Sequence, residues 1–70
     1  MRLIVTAEAI RSMAWKFARS CKAGAREARA HGFYGIARER DREARDLLRV
    51  ATAADPWAAY REYAARQAAR

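Results

Sequence analysis

The sequence has few of the residues that stabilise very small proteins by cross-linking the chain. It contains one cysteine, Cys21, and one histidine, His31, among 70 residues. A lone cysteine cannot form an intramolecular disulfide, and these two side chains fall short of the four ligands of a structural zinc site. A chain of this length without a disulfide or a metal is near the lower limit of stability. We therefore expect its core to be completed by self-association or by a partner.

Long hydrophobic segments are also missing. The longest run of large aliphatic residues covers residues 3–5. That run is far too short for the core of a signal peptide or for the roughly 20 apolar residues of a membrane span. Nothing that resembles a tag or a linker precedes Met1 or follows Arg70. We expect a complete cytoplasmic gene product that folds as a single helical domain over residues 1–70.

Groups that could carry out catalysis are scarce as well. A cysteine nucleophile needs a base within about 3 Å, and His31 is ten residues away from Cys21. No pair of carboxylates occurs in an apolar stretch. The turn sequence HGFYG over residues 31–35 lacks the Lys and the Ser or Thr that follow a phosphate-binding loop. We expect a protein that is not an enzyme and that uses no cofactor or metal.

Positive charge and alanine are what the sequence has in abundance. The formal net charge is +7, with thirteen Arg, two Lys and eight acidic residues, and nineteen residues are Ala. This balance favours an acidic partner, which could be nucleic acid, an anionic membrane surface or an acidic protein surface. The alanine content leaves few large apolar side chains, so a core built from them would be thin.

Cap signals and apolar spacing predict a first helix over residues 7–30. Thr6 can cap its start with a side-chain oxygen. Gly32 is expected to adopt the left-handed conformation that ends a helix, with Phe33 folding back onto Ala28. Gly24 interrupts the helix, and it either permits close packing of a second helix or weakens this one.

Two further helices are predicted downstream. Gly35 is expected to free the chain before a second helix over residues 36–53. Asp55 is a capping residue, and Pro56 suits the first position of a third helix over residues 56–68. The fold class is therefore all-α, with a helical hairpin, a shorter third helix and a short extended arm at the N-terminus.

The first helix is predicted to have an apolar inner face and a basic outer face. Residues at spacings of three and four give the inner stripe Ile10, Ala14, Phe17, Cys21, Gly24 or Ala25, and Ala28. The outer face carries the candidate partner-binding residues Arg11, Trp15, Lys16, Arg19, Lys22, Arg26 and Arg29. The small inner face beyond Phe17 argues against insertion into a membrane surface.

The first half of the second helix, residues 38–43, is charged on all sides. Its charges are nearly balanced, and we expect ion pairs at i,i+4 spacing between Asp41 and Arg45 and between Arg42 and Asp46. This half of the helix is therefore expected to be solvated.

Two DNA-reading folds fit poorly. A helix-turn-helix would place Ala28 and Gly32 at its turn, but it would then bury Arg38 and Asp41, where that motif needs apolar residues. A ribbon-helix-helix dimer would use the extended arm, residues 1–5, as an intermolecular strand. The first helix is longer than that architecture uses.

The leading functional hypothesis is a small non-catalytic regulator or inhibitor that binds an acidic surface of a protein partner. Trp, Tyr and Arg anchor many protein interfaces, so the Phe33–Tyr34 turn joins the basic face as a candidate site. Phages and other mobile elements encode many small inhibitors of this form. This is an analogy with a general class of proteins and not a resemblance to a particular family. The alternative is a nucleic-acid-binding protein that uses the same basic face. We also expect a homodimer.

Overall fold

The computed structural model describes residues 5–69, which form three α-helices and no strand. The helices are α1 (Ala7–Ala30), α2 (Tyr34–Thr52) and α3 (Pro56–Ala68). Residues 1–4 of the predicted N-terminal arm lie outside the described residues. The all-α three-helix fold is confirmed, with α1 and α2 as an antiparallel hairpin and α3 against one side of it. None of these three helices has both the length and the apolar composition needed to cross a bilayer.

The starts of α1 and α3 are fixed by short side chains, as the sequence predicts. The Thr6 hydroxyl oxygen accepts a hydrogen bond of 3.1 Å from the amide of Ala9. The Asp55 carboxylate accepts one of 3.1 Å from the amide of Ala58, and Pro56 occupies the first helical position. Each cap satisfies an amide that has no partner within its own helix.

The end of α1 is the predicted glycine cap. Gly32 has a φ of 81°, in the left-handed region that L-residues with side chains avoid. The amide of Phe33 donates to the carbonyl of Ala28 at 2.8 Å, and the amide of Gly32 donates to that of Arg29 at 3.0 Å. These two bonds define a Schellman motif. The chain therefore reverses direction immediately after α1.

The predicted range of α2, residues 36–53, is shifted at both ends. The amide of Ala37 already bonds to the carbonyl of Phe33 at 3.0 Å, so the helix starts two residues early. Gly35 falls in the first turn, where no intrahelical partner is required of its amide. At the other end Ala53 has extended backbone angles, so α2 stops one residue before the predicted end.

The core is built largely from alanine, and two members of the predicted inner stripe lie outside it: Phe17 is exposed and Cys21 is only partly buried. Phe17 was expected on the inner stripe of α1 but is 51% exposed, whereas its neighbour Ala18 is 1% exposed. The contact line with α2 runs along the Ala14–Ala18–Ala25 edge of α1, which turns Phe17 away from α2. The buried apolar residues are Ile10, Ala14, Ala18, Ala25, Ala28, Ala37, Ala44, Leu47, Val50 and Ala51.

The third helix covers only part of one side of the hairpin. Tyr60 and Tyr63 of α3 pack against a cluster that includes Ile10 and Val50. At 1.5 Å per residue, α3 is about 20 Å long and α1 about 36 Å. The part of this side that lies towards the α1–α2 turn is therefore left without a covering helix.

Candidate partner-binding surface

The outer side of α1 carries the basic row that the sequence predicts. Its members are here called the α1 row; most recur at intervals of three and four residues and share one side of the helix, and Lys16 lies at the flank of that side. All are solvent-exposed except Arg11, which is partly buried. The α1 row consists of Arg11, Lys16, Arg19, Lys22, Arg26 and Arg29.

The two ends of the α1 row are held by contacts within the protein, and its middle is not. Arg11 donates to the Glu8 carboxylate and to the carbonyl of Ala53, both at 3.2 Å. Arg29 forms an ion pair with Asp41 of α2. The middle cations have no carboxylate of residues 5–69 within 4.0 Å, and these are Lys16, Arg19, Lys22 and Arg26.

A second basic row, which was not predicted from the sequence, runs along α2. Arg38, Arg42, Arg45 and Arg49 follow one another at spacings of four, three and four, so they share one side of the helix. The overall charge of α2 does not reveal this row. Acidic residues are nearly as frequent in the helix as arginines, but they lie mostly on its other sides. The spacing of these arginines, at i, i+4, i+7 and i+11, is the feature of the sequence from which the row could have been predicted. We call these four residues the α2 row.

The two rows meet across the seam between the helices. Lys22 of the α1 row and Arg45 of the α2 row line one shallow depression together with Asp41 and Leu48. The Arg29–Asp41 ion pair crosses the same seam near the turn. The hydrogen bond from Arg11 to the carbonyl after α2 crosses it at the other end. The α1 row and the α2 row therefore form one continuous basic face.

The ion pairs predicted within α2 do not form. Neither Asp41–Arg45 nor Arg42–Asp46 is among the pairs within 4.0 Å in residues 5–69. Asp41 points into the seam, where Arg29 of α1 reaches it. Asp46 lies on the side that α3 covers, within 4.0 Å of an arginine of that helix. The prediction was wrong because packing turned both carboxylates towards other helices, which leaves Arg42 and Arg45 without a carboxylate partner.

One aromatic side chain lies within the basic face. Trp15 is 42% exposed. Together with Ser12, Lys16 and Arg19 it lines an open depression on α1. Its indole ring is therefore placed beside two cations that have no carboxylate partner in residues 5–69, and it is accessible to a planar group.

The turn between α1 and α2 presents the predicted aromatic pair to solvent. Phe33 and Tyr34 are 58% and 64% exposed, and Ile36 one turn further on is 52% exposed. The ring of His31 lies 6.4 Å from that of Phe33, measured between centroids. This apolar tip stands at the end of the basic face where Arg29 is located.

The opposite side of the hairpin contains a groove of about 360 Å³. It lies between α1 and α3, with α2 as its floor. Met13 and Phe17 stand at its edge, 42% and 51% exposed. The groove is lined by Ile10, Met13, Ala14, Phe17, Ser20, Cys21, Arg40, Glu43, Leu47, Tyr60 and Tyr63.

Glu43 organises the polar end of this groove. The hydroxyl of Tyr63 donates to its carboxylate at 3.3 Å, and the Arg40 guanidinium lies 3.7 Å from it. Burial, and then the charge of Glu43, raise the pKa of Tyr63 to about 12. The same two causes raise the pKa of the Cys21 thiol, against the opposing charge of Arg40. A thiol with a raised pKa is mostly protonated at neutral pH and is a weak nucleophile.

The structure does not bring the lone cysteine and the lone histidine together. His31 ends α1 at the turn, whereas Cys21 lies ten residues earlier, about 15 Å along the helix axis. Residues 5–69 contain no group of three or more His, Cys, Asp and Glu side chains arranged to hold a metal ion. The basic face is therefore the most developed candidate site of the molecule.

Comparison of the chain with protein-family models, with curated proteins and with solved structures found no match. The function has to be argued from the residues of this chain.

Proposed function

We propose that this protein binds the phosphate backbone of nucleic acid through its basic face. One observation carries the proposal: seven cations lie in two adjacent rows with no carboxylate of residues 5–69 within 4.0 Å. They are Lys16, Arg19, Lys22 and Arg26 of the α1 row and Arg38, Arg42 and Arg45 of the α2 row.

The arrangement suits a polyanion with regularly spaced charges. The α1 row extends over about 27 Å from Arg11 to Arg29 at 1.5 Å per residue. Neighbouring cations in each row are about 5–6 Å apart at their Cβ atoms. A cationic surface of this length attracts a nucleic-acid backbone and releases its condensed counterions on binding. Arginine also matches phosphate oxygens with two parallel hydrogen bonds.

The second row changes the order of the two hypotheses that the sequence supports. An acidic protein surface is usually gripped by apolar anchors near the centre of the interface, with charges around them. Among the cations of the basic face, residues 5–69 place two large apolar side chains, the exposed Trp15 and the partly buried Leu48 in the seam. The other exposed aromatic residues of the hairpin lie at the turn or at the groove. Charge without central anchors favours nucleic acid over a protein.

Binding is tested by titrating labelled mixed-sequence DNA and RNA at a series of salt concentrations. If all seven cations contact phosphates, the logarithm of affinity falls with the logarithm of salt with a slope of about −6 on duplex DNA. Single strands would give about −5. Absence of binding even at low salt would refute the proposal.

Three matched double variants locate the contact. Arg19→Ala/Arg26→Ala removes two charges from the α1 row, and Arg42→Ala/Arg45→Ala removes two from the α2 row. Each is expected to reduce the salt slope by about 2. The control Arg61→Ala/Arg66→Ala removes the same charge from α3 and should leave the slope unchanged. Equal losses in all three variants would mean that net charge, and not this face, drives binding.

Trp15 distinguishes single-stranded from duplex targets. Stacking of an exposed base on an aromatic side chain contributes about 1–3 kcal/mol, whereas paired bases are inaccessible to it. Trp15→Ala should therefore weaken binding to single strands more than binding to duplex of the same length. An equal effect on both would assign Trp15 a structural role.

A protein partner remains the second candidate, and the exposed turn favours it. Phe33 and Tyr34 present apolar surface that the basic face lacks. Pull-down from a bacterial lysate with nuclease added tests this candidate. A retained protein that Phe33→Ala/Tyr34→Ala releases would support a protein-binding turn. Loss of all retention on nuclease treatment would support nucleic acid alone.

A further inference from the structure

We infer that the groove side of the hairpin is an interface on which a second copy of this chain packs, with Phe17 of each copy at its centre. The inference concerns the side opposite the basic face, and it does not depend on nucleic-acid binding. It identifies the occupant of the surface that α3 leaves uncovered.

Among residues 5–69, more large apolar side chains are exposed than buried. The buried core of these residues contains three large aliphatic residues and seven alanines, and none of their large side chains is fully buried. Eight of their large apolar side chains are exposed. Three of these border the groove side: Met13 and Phe17 line the groove, and Ile36 shares a face of α2 with Arg40. Clustered exposure of this kind marks an interaction surface.

The accessible surface of the protein is larger than that of a compact monomer of the same mass. The accessible surface is 5550 Å² for a mass of 8.0 kDa. The scaling for compact monomers gives about 4,450 Å² at that mass, so the excess is about 1,100 Å². A standard protein interface removes about 800 Å² from each partner. The elongated 44 × 26 × 23 Å shape has the area to supply one such interface.

On the part of the hairpin that α3 does not cover, small residues of α1 leave space for another helix. Cys21 lines the groove, and Gly24 follows it on the same side of α1. A methyl group added at Gly24 would meet only the Arg40 side chain, at 3.9 Å. No side chain other than that of Arg40 fills this position. Another helix can therefore approach α1 closely here once Arg40 moves aside.

The distribution of charge determines through which side two copies of the chain can associate. Each chain has a net charge of +7, so their mutual approach is opposed by repulsion. The basic face holds seven cations that have no carboxylate of residues 5–69 within 4.0 Å, so it is the least favourable side for self-contact. On the groove side Arg40 lies 3.7 Å from Glu43, which largely neutralises it. Association of two copies through their groove sides therefore has the lowest electrostatic cost.

The shape of this side explains why the occupant is a second copy. A two-fold interface needs a surface that is complementary to itself. The groove side carries both a concavity and, at its edge, the projecting ring of Phe17. A two-fold axis beside Phe17 lets each ring enter the groove of the other copy. The two basic faces would then point outwards, on opposite sides of the dimer.

The interface is tested by light scattering across micromolar concentrations. The wild-type mass should be that of two chains, and Phe17→Glu should halve it. Trp15→Glu places the same charge at a similarly exposed aromatic position on the basic face and should leave the mass at two chains. Circular dichroism checks that each variant is helical. A wild-type mass of one chain, or a helical Phe17→Glu variant that stays dimeric, would overturn the inference.

The reactivity of the native cysteine gives a readout that needs no change at Phe17. A second copy covers Cys21, so its alkylation rate should fall severalfold as protein concentration rises through the dimerisation range. In the control Cys21→Ser/Ala23→Cys the thiol lies on the exposed outer side of α1, and its rate should not change. A Cys21 rate independent of concentration would contradict the assignment. Salt-dependent DNA binding by monomeric Phe17→Glu would show that the two proposals stand separately.

Discussion

At the scale of single residues, the polar end of the groove depends on one carboxylate. Glu43 accepts a hydrogen bond from Tyr63 and lies close to Arg40 and Cys21. Partial burial and this negative charge both favour the protonated form of the phenol, and they raise the pKa of Tyr63 to about 12. The hydrogen bond links α2 to α3, so ionisation of Tyr63 would weaken the attachment of α3.

The consequence is a loss of stability at high pH that Tyr63→Phe should remove. The unfolded pKa of tyrosine is about 10, and the folded pKa is higher. The contribution of Tyr63 is therefore fully present below pH 10 and is lost as pH rises towards 12. At neutral pH the variant should be less stable by about 1 kcal/mol, for one lost hydrogen bond. Urea denaturation of both proteins from pH 8 to pH 12 should show this difference shrinking as the pH rises.

The outcome that would contradict this assignment is a difference that stays constant or grows with pH. Other groups that titrate in this range are common to both proteins, so they cancel in the comparison.

At the scale of a helix, the two glycines of α1 have opposite roles. Gly32 has positive φ and ends the helix, so its conformation excludes ordinary side chains. Gly24 is in the interior of the helix, and an added methyl group would contact only the flexible Arg40 side chain, at 3.9 Å. Within one chain, Gly24 is therefore not required for the packing of α2. Its presence weakens α1 by propensity alone.

We expect Gly24→Ala and Gly32→Ala to change stability in opposite directions. Gly24→Ala should raise the free energy of unfolding by up to about 1 kcal/mol, the difference in helix propensity. Gly32→Ala should lower it by about 1–2 kcal/mol, because alanine is forced into the left-handed region. Thermal unfolding followed by circular dichroism measures both. Both values apply to the single chain and are measured in the monomeric Phe17→Glu variant, because in the inferred dimer a methyl group at Gly24 would meet the second copy and should lower stability. A loss of stability on adding Gly24→Ala to the monomeric variant would show that the position is already closely packed within one chain.

At the scale of the whole molecule, charge is segregated between the two sides of the hairpin. Of the eight cations without carboxylate partners in residues 5–69, seven share the basic face, and the other is Arg61 of α3. Glu43 and Asp46 lie on the side of α3, with arginines near them. Like charges at i,i+3 and i,i+4 spacing destabilise a helix by a few tenths of a kcal/mol per pair. The fold therefore tolerates repulsion on the side for which we propose a polyanionic ligand.

This repulsion predicts that salt stabilises the protein. Exposed charges are screened over about 10 Å at 0.1 M ionic strength. Raising sodium chloride from low salt to that level should increase the free energy of unfolding by about 1 kcal/mol for the summed neighbouring pairs. In Arg19→Ala/Arg26→Ala the increase should be smaller. Thermal unfolding at one fixed protein concentration measures both, and a wild-type midpoint that falls with salt would show that ion pairs outweigh repulsion.

The sequence by itself determined the features that depend on neighbours along the chain. The caps at Thr6 and Asp55 and the left-handed Gly32 each involve residues three to five positions apart. Such interactions form within one turn of helix, whatever packs against it, so residue type and spacing are enough to predict them. The periodic basic row of α1 was predictable for the same reason.

Only the tertiary structure decided what lies across the helices. The contact line between α1 and α2 buried Ala18 and left Phe17 exposed, and the seam between these helices paired Asp41 with Arg29 in place of Arg45. The same seam joined the α2 row to the α1 row. These outcomes depend on which sides of two helices meet. An alanine-rich core constrains that choice weakly, because small side chains at many positions allow similar contact between helices.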